Sequence, residues 1–302
     1  MNRAVFVLAL LIVLPSHALQ VSVSPTETLE IAERSAVVKI DGKLDEAVWA
    51  SLDQYDEFVV IEPDTLVKPA HATWVSLFYN QLGLYVGVQV EQPPETRIAR
   101  LSSRDNRQIK RDSVGMVLDT SGEGRYGYWF GINLGDAQMD GTLLPEKQFT
   151  SDWDGAWEGA TSETQTGWTA EMFIPWGVVS MPKQAGARRI GLYMERFVAY
   201  KDERWSWPAL PDTVPQFISA LQSVSVKDVQ PKQQYSIFPS ASVTQDQIDG
   251  KTNYRAGADF FWRPSTNLQL TATINPDFGV AESDDVVINL SATETFFPEK
   301  RL

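Results

Sequence analysis

The chain has 302 residues, 11% of them aromatic, a formal net charge of −13 and no cysteine. Without cysteine there are no disulfides, thiolate metal sites or cysteine nucleophiles. The acidity argues against nucleic acid or anionic lipid headgroups as partners, since both would repel it. In chain order, Met1-Asn2-Arg3 is a short positive segment, residues 4–14 are an unbroken apolar run, and Ser16-His17-Ala18 is a small-x-small cleavage site. That pattern predicts a secretory signal peptide over residues 1–18. The run is too short for a membrane helix, which needs ~20 residues. Removing Arg3 with it takes the net charge to −14, and no cysteine follows to carry a lipid anchor. Residues 19–35 read as an N-terminal extension.

Residues 40–49, IDGKLDEAVW, are the most informative stretch. Asp41-Gly42 is a turn dipeptide in which glycine is free to take positive φ. Asp45 is placed to accept from the free N–H groups of a short helix starting at Glu46. Val48 and Trp49 supply apolar side chains to tuck under a sheet. Strand-like stretches follow at 73–79, 84–90, 113–119, 126–134, 167–174 and 190–200, separated by Gly, Pro and Asp clusters. Helical periodicity is weak, so the chain reads as all-β, a sandwich or a barrel. GEGRYG (122–127) lacks the Lys-Ser/Thr pair and strand–helix context of a phosphate loop and reads as a hairpin loop.

Polar, proline-containing VKDVQPK (226–232) marks a linker. Beyond it Tyr235, Ile237, Pro239, Ala241 and Val243 alternate with mostly polar or small residues. Tyr254, Ala256, Ala258, Phe260 and Trp262 form a second set, and Leu268, Leu270, Ala272 and Ile274 a third. Segments of about ten residues with one apolar face and aromatic ends are a signature of transmembrane β-strands. A small soluble antiparallel sheet would alternate in the same way.

The segments IDGKLDEAVW, LYVGVQV (84–90), RD (104–105), DSVGMVLD (112–119), FGINLGDAQMDG (130–141) and GWTAEMFIPW (167–176), in that order, resemble the family 9 carbohydrate-binding-module-like domain, a DOMON-like fold. The resemblance covers roughly residues 36–225 and implies an antiparallel β-sandwich, jelly-roll or immunoglobulin-like. The tail, NPDFGVAESDDVVINLSATETFFPEKRL, resembles the start of an outer-membrane barrel in a poorly characterised bacterial family that fuses such a sandwich to a C-terminal barrel. This implies that 233–302 are the first strands of a truncated outer-membrane β-barrel, in a protein exported to the periplasm or outer membrane of a Gram-negative bacterium. A membrane barrel needs at least ~8 strands to close, so the sequence reads as part of a longer protein.

The chemistry is sparse. Past the leader the one histidine is His71, and no G-x-S-x-G elbow presents a serine. Met116, Met139, Met172 and Met194 lie in strand stretches, where core filling is the ordinary role. With His71 they are the axial donors that a haem, held by some DOMON-like domains, would need. The carboxylate pairs Asp152/Asp154, Asp112/Asp119 and Glu171/Glu195 are raw material for a glycosidase, which needs two carboxyls about 5–10 Å apart across a cleft. The family resemblance also implies bound calcium. Loop acids such as Asp136, Asp140, Asp152 and Asp154 are donors of the right type for its 6–8 oxygens, although no EF-hand-like spacing selects them.

Ten tryptophans remain. Trp49, Trp74, Trp129 and Trp168 sit in or beside apolar strand patterns and read as core. Trp153, Trp157, Trp205 and Trp207 lie in SDWDGAW (151–157) and ERWSWP (203–208), among residues suited to stacking and hydrogen bonding. Trp205 and Trp207 are two apart, so in a strand both point to one side. With Trp153 they form the expected sugar platform, with Arg204 and Asp154 at its rim. Neither tryptophan of the family's sugar clamp is present: one position is Ile109, and the other falls in the tryptophan-free stretch 209–214. The leading expectation is a non-catalytic binding or docking domain of an outer-membrane protein, with a glycan or cell-envelope component as partner. The alternatives are an enzyme or enzyme accessory in carbohydrate breakdown, with O-glycosyl hydrolase activity, and a haem-binding redox module.

Overall fold

A computed structural model describes residues 27–106, 109–182, 184–229, 234–245, 252–265 and 268–275. The leader, the first part of the extension, the end of the linker and the tail from 276 lie outside the described residues. The strands are β1 (Leu29–Glu30), β2 (Ala32–Glu33), β3 (Val59–Glu62), β4 (Thr73–Tyr79), β5 (Gly83–Glu91), β6 (Ser113–Asp119), β7 (Gly127–Asn133), β8 (Gln138–Leu144) and β9 (Gln148–Thr150). They continue as β10 (Glu158–Glu163), β11 (Gly167–Pro175), β12 (Ala187–Val198), β13 (Glu203–Trp207), β14 (Gln222–Lys227), β15 (Gln234–Gln245), β16 (Thr252–Ser265) and β17 (Leu268–Ile274).

Two sheets make a sandwich. The larger runs β1-β14-β12-β6-β7-β8-β9, with β13 on the second half of β12 and β3 beyond it; the smaller runs β10-β11-β5-β4-β2. Pairing is antiparallel except at two short edges, β1 on β14 and β2 on β4. The core follows the alternation of the sequence. Leu84, Val86, Val88 and Val90 of β5 meet Val114, Met116 and Leu118 of β6 and Phe130 and Ile132 of β7. The methionines Met116, Met172 and Met194 fill this core, as their strand positions predict. Around 113–119 both faces of the sheet are covered, so β6 is almost wholly buried.

The IDGKLDEAVW stretch covers the outer face of the smaller sheet, where Trp49 packs edge-on to Phe78 at 5.3 Å. Glu171 of β11 is fully buried beneath it: the backbone N–H groups of Asp41 and Gly42 each donate to Oε2 at 3.0 Å, and the Trp49 indole donates to Oε1 at 3.0 Å. Gly42 has φ +82, and a Cβ there would lie 2.4 Å from the Thr161 carbonyl carbon, so no other residue fits. The expected cap by Asp45 is not formed. The turn here is a 3-10 turn at Trp49–Ser51 without a side-chain cap.

The expected domain limits shift. Leu29–Glu30 and Ala32–Glu33 pair with strands of the two sheets, so part of the expected extension belongs to the sandwich. At the other end β14 runs through Val226 and Lys227, and Val229 is buried in the core. The linker therefore starts later than 226.

A third sheet, β15-β16-β17, is antiparallel. Its register puts Tyr235 opposite Trp262, Ile237 opposite Phe260, Pro239 opposite Ala258, Ala241 opposite Ala256 and Val243 opposite Tyr254. Phe260 and Trp262 in turn face Ala272 and Leu270. Because side chains alternate along a strand, these residues share one face. Tyr235, Ile237, Val243, Tyr254 and Ile274 are each more than 60% exposed on it. The opposite face carries Ser240, Arg255, Asp259 and Thr273, with the Thr273 hydroxyl donating to Asp259 at 2.7 Å.

Candidate functional site

A cleft of about 570 Å³ opens on the outer face of the larger sheet, within the usual size range of small-molecule sites. Its floor is set by strand register. Glu195 of β12 lies opposite Gly115 of β6, which lies opposite Gly131 of β7, which lies opposite Met139 of β8. The two glycines leave room that the Glu195 and Trp129 side chains fill. A Cβ at 115 would lie 3.1 Å from Glu195 Oε1, and one at 131 would lie 3.0 Å from the Trp129 ring. Trp129 therefore lies down over Gly131 and donates its indole N–H to Glu195 Oε1 at 3.2 Å.

Arg204 of β13 crosses the cleft. It donates to Glu195 Oε2 at 3.0 Å and to Glu62 of β3 at 3.2 Å, and its guanidinium lies 6.0 Å from the Phe197 ring. The neighbouring Glu195 carboxylate pushes the Arg204 pKa above its ordinary value, so this cation is fixed in place. The far wall is aromatic: Tyr193 meets Phe217 edge-on at 4.9 Å, and half-exposed Phe149 lies 5.9 Å from Phe217. Burial pushes the Tyr193 phenol up, keeping it neutral. Apolar rings beside a rigid Glu–Arg–Glu array offer stacking together with polar orientation, the combination that flat polyhydroxylated rings require.

Of the residues expected to form the sugar platform and its rim, Arg204 alone belongs to this cleft, together with Glu195 of the expected carboxylate pairs. Trp205 and Trp207 do share a side, but their partners across β12 are Arg196 and Met194, which face the core. Trp205 is 0% exposed beneath the Arg196 guanidinium, 4.5 Å away, and Trp207 stacks on Tyr55 at 5.0 Å. The expected open platform is therefore not formed. Trp153 closes over Tyr128 and Phe130 at 4.9 and 5.9 Å, half-buried against the core. Asp154 pairs with Arg104 at 3.2 Å, away from the cleft. Trp157 is buried and donates to Asp140 at 2.7 Å. Sequence reasoning missed Trp129 as a site residue. Its signal was there: a large ring two positions before a glycine on the same strand face. Ile109 and the loop residues Leu210 and Asp212 line the cleft, so both positions of the absent tryptophan clamp frame it.

The expected glycosidase pairs resolve into structural acids. Asp112 accepts from Gln92, Ile98 N and Ala199 N, while Asp119 accepts from the backbone of Ser121, Gly122 and Gly124 to tie the β6–β7 hairpin. Glu171 and Glu195 lie on the outer faces of different sheets, with the core between them. Among the loop acids, Asp136 accepts from Thr161, and Asp152 accepts from Thr150. Asp105, Asp140 and Asp154 do converge, with carboxylate oxygens within 4.8 Å of one another, and Asp140 Oδ1 is buried without a partner. Yet Arg104 pairs with all three, so the positive charge is already supplied. Three carboxylates around a guanidinium are an ion-pair network and fall short of the 6–8 oxygens of a calcium cage. His71 accepts or donates a hydrogen bond with Tyr200 at 3.0 Å.

The family model for a domain of unknown function (DUF5916) matches residues 231–302. Among solved structures, a Bacteroides uniformis protein presumed to bind carbohydrate is similar with a TM-score of 0.52 at 14% identity, covering 66% of this chain and 99% of that one. A carbohydrate-binding module of family 9 from Caldicellulosiruptor kristjanssonii is similar in its glucose complex (TM-score 0.48, 15% identity, 68% of this chain and 97% of that one). Its cellotriose complex is similar too (TM-score 0.46, 14% identity, 68% and 95%). No curated protein matches. The chain is thus an all-β protein whose β-sandwich is similar in fold to that of the Bacteroides uniformis protein.

Proposed function

We propose that the sandwich is a non-catalytic carbohydrate-binding domain and that its ligand sits in the cleft lined by Trp129, Glu195 and Arg204. The observation that carries this reading is the cleft itself: Trp129, Phe149 and Phe217 for stacking, and the Glu62–Arg204–Glu195 array for hydroxyl groups. The solved relatives bind glucose or cellotriose, or are presumed to bind carbohydrate, which gives the reading a ligand class to test. Each stacked ring contributes about 1 kcal/mol, so affinity in the millimolar to high micromolar range is expected. Titrating cellotriose into the full chain in a sugar-free detergent, with tryptophan fluorescence as readout, tests it. Arg204→Ala should weaken binding about tenfold, as loss of a charged hydrogen bond does. Undiminished binding in that variant would place the ligand elsewhere.

The third sheet supports a second element of function, attachment to a bacterial outer membrane. Its register gathers Tyr235, Ile237, Val243, Tyr254, Phe260 and Ile274 on one exposed face, with rings toward both ends. β15 and β16 have 12 and 14 residues, enough to cross a bilayer, for which a tilted strand needs about 9–11. An exposed apolar sheet of this kind is otherwise an aggregation hazard. The full chain should partition into phospholipid vesicles and gain protease protection across 234–275. A chain that stays in the aqueous phase and is cut freely there would end this reading.

A further inference from the structure

Among the described residues, one cation of the cleft has no carboxylate partner. Arg111 lies in its wall with 3% of its surface exposed, and its Nη1 is buried without any hydrogen-bond partner. Its Nη2 donates to the Asn106 carbonyl at 2.6 Å and touches Met139 Sδ at 3.9 Å. The other cations of the cleft are all paired. Lys110 is held by Asp202 at 2.7 Å, Lys147 by Asp212 at 3.5 Å, and Arg204 by Glu62 and Glu195. Among the described residues no carboxylate pairs with Arg111. Burial is the one influence on its pKa, and it pulls the value down with no acid opposing it. A buried charge without a partner is costly. A planar guanidinium with a free N–H edge is matched best by a carboxylate, which it can grip through two parallel hydrogen bonds.

The geometry points to an acidic sugar as the ligand of this cleft: a uronate-type residue whose ring stacks in the cleft and whose carboxylate pairs with the Arg111 guanidinium in its wall. This rests on the carbohydrate-binding reading and narrows it. The protein as a whole is acidic, so long-range attraction contributes nothing; the preference is local to this guanidinium.

Competition titrations with D-glucuronate, D-glucose and acetate, on the full chain and on Arg111→Gln, test the assignment. Glucuronate should bind the wild-type chain at least about tenfold more tightly than glucose, in line with a charged hydrogen-bonded pair. In Arg111→Gln the ratio of the two affinities should fall to about one. If that variant loses its cooperative melt, the wild-type chain decides alone, because added salt should weaken glucuronate and leave glucose unaffected. Equal binding of glucose and glucuronate overturns the inference and leaves the carbohydrate reading standing. Acetate competing as well as glucuronate reduces the site to an anion site and overturns it too. No binding of either sugar overturns both.

Discussion

Trp205→Ala should cost about 3–5 kcal/mol of folding free energy, the range for removing a buried aromatic. The ring is fully buried at the end of the core, with the Arg196 guanidinium 4.5 Å above it. Arg196 is itself 0% exposed and is satisfied by Thr73 Oγ1 at 2.9 Å, the Glu91 carbonyl at 2.9 Å and Gln92 Oε1 at 3.1 Å. Burial lowers its pKa to about 9, so the charged form already bears a desolvation cost. Deleting the ring removes the cation–π contact and opens a cavity beside that charge. Urea unfolding followed by circular dichroism measures the effect. A loss under about 1 kcal/mol would mean the ring is not part of the core.

Trp49→Ala is expected to have a comparable effect, about 3–5 kcal/mol by the same measurement, because it removes both the apolar cover of Phe78 and a donor to buried Glu171. Glu171 adds a pH signature. Burial raises its pKa to about 7 against the donors at Asp41, Trp49 and Gly42, with Glu46 adding to the rise. A carboxyl whose folded pKa lies above its unfolded one contributes stability below the unfolded value and loses it as pH rises through the folded one. That contribution should therefore fade between about pH 4.5 and 7, and Glu171→Gln should flatten the stability profile there. An unchanged slope in Glu171→Gln would show that Glu171 ionises as freely as in the unfolded chain.

The strands were legible because alternation is a direct record of which face is buried. The stretches at 73–79, 84–90, 113–119 and 167–174 correspond to β4, β5, β6 and β11. Alternation also put Trp205 and Trp207 on one side, but not on which side. The answer lay in the intervening residues: Arg204 and Ser206 pair with Phe197 and Glu195 on the outer face, which leaves the tryptophans facing the core. Trp129 misled in the opposite way, since an aromatic in an apolar strand reads as core when both faces of the sheet are covered. The cleft is assembled from Ile109, Trp129, Glu195, Arg204 and Phe217, residues brought together by strand pairing and loop packing that no local pattern encodes. Arg111 was invisible for the same reason, because its lack of an acid partner among the described residues is a matter of tertiary packing.

The most direct test of the carbohydrate reading displaces Glu195, which lines the cleft. Gly115→Leu places a side chain under Glu195, whose Oε1 and Cγ would lie 3.1 and 3.2 Å from the new Cβ, and so displaces that carboxylate within the cleft. The core face of β6, formed by Val114, Met116 and Leu118, is left intact. Calorimetric titration of oligosaccharides into the wild-type chain and this variant should show saturable binding to the first and at least about tenfold weaker binding to the second, with a cooperative melt retained in both. Binding of undiminished strength in a folded Gly115→Leu chain would contradict the account, because the ligand could not then depend on the cleft beside Glu195.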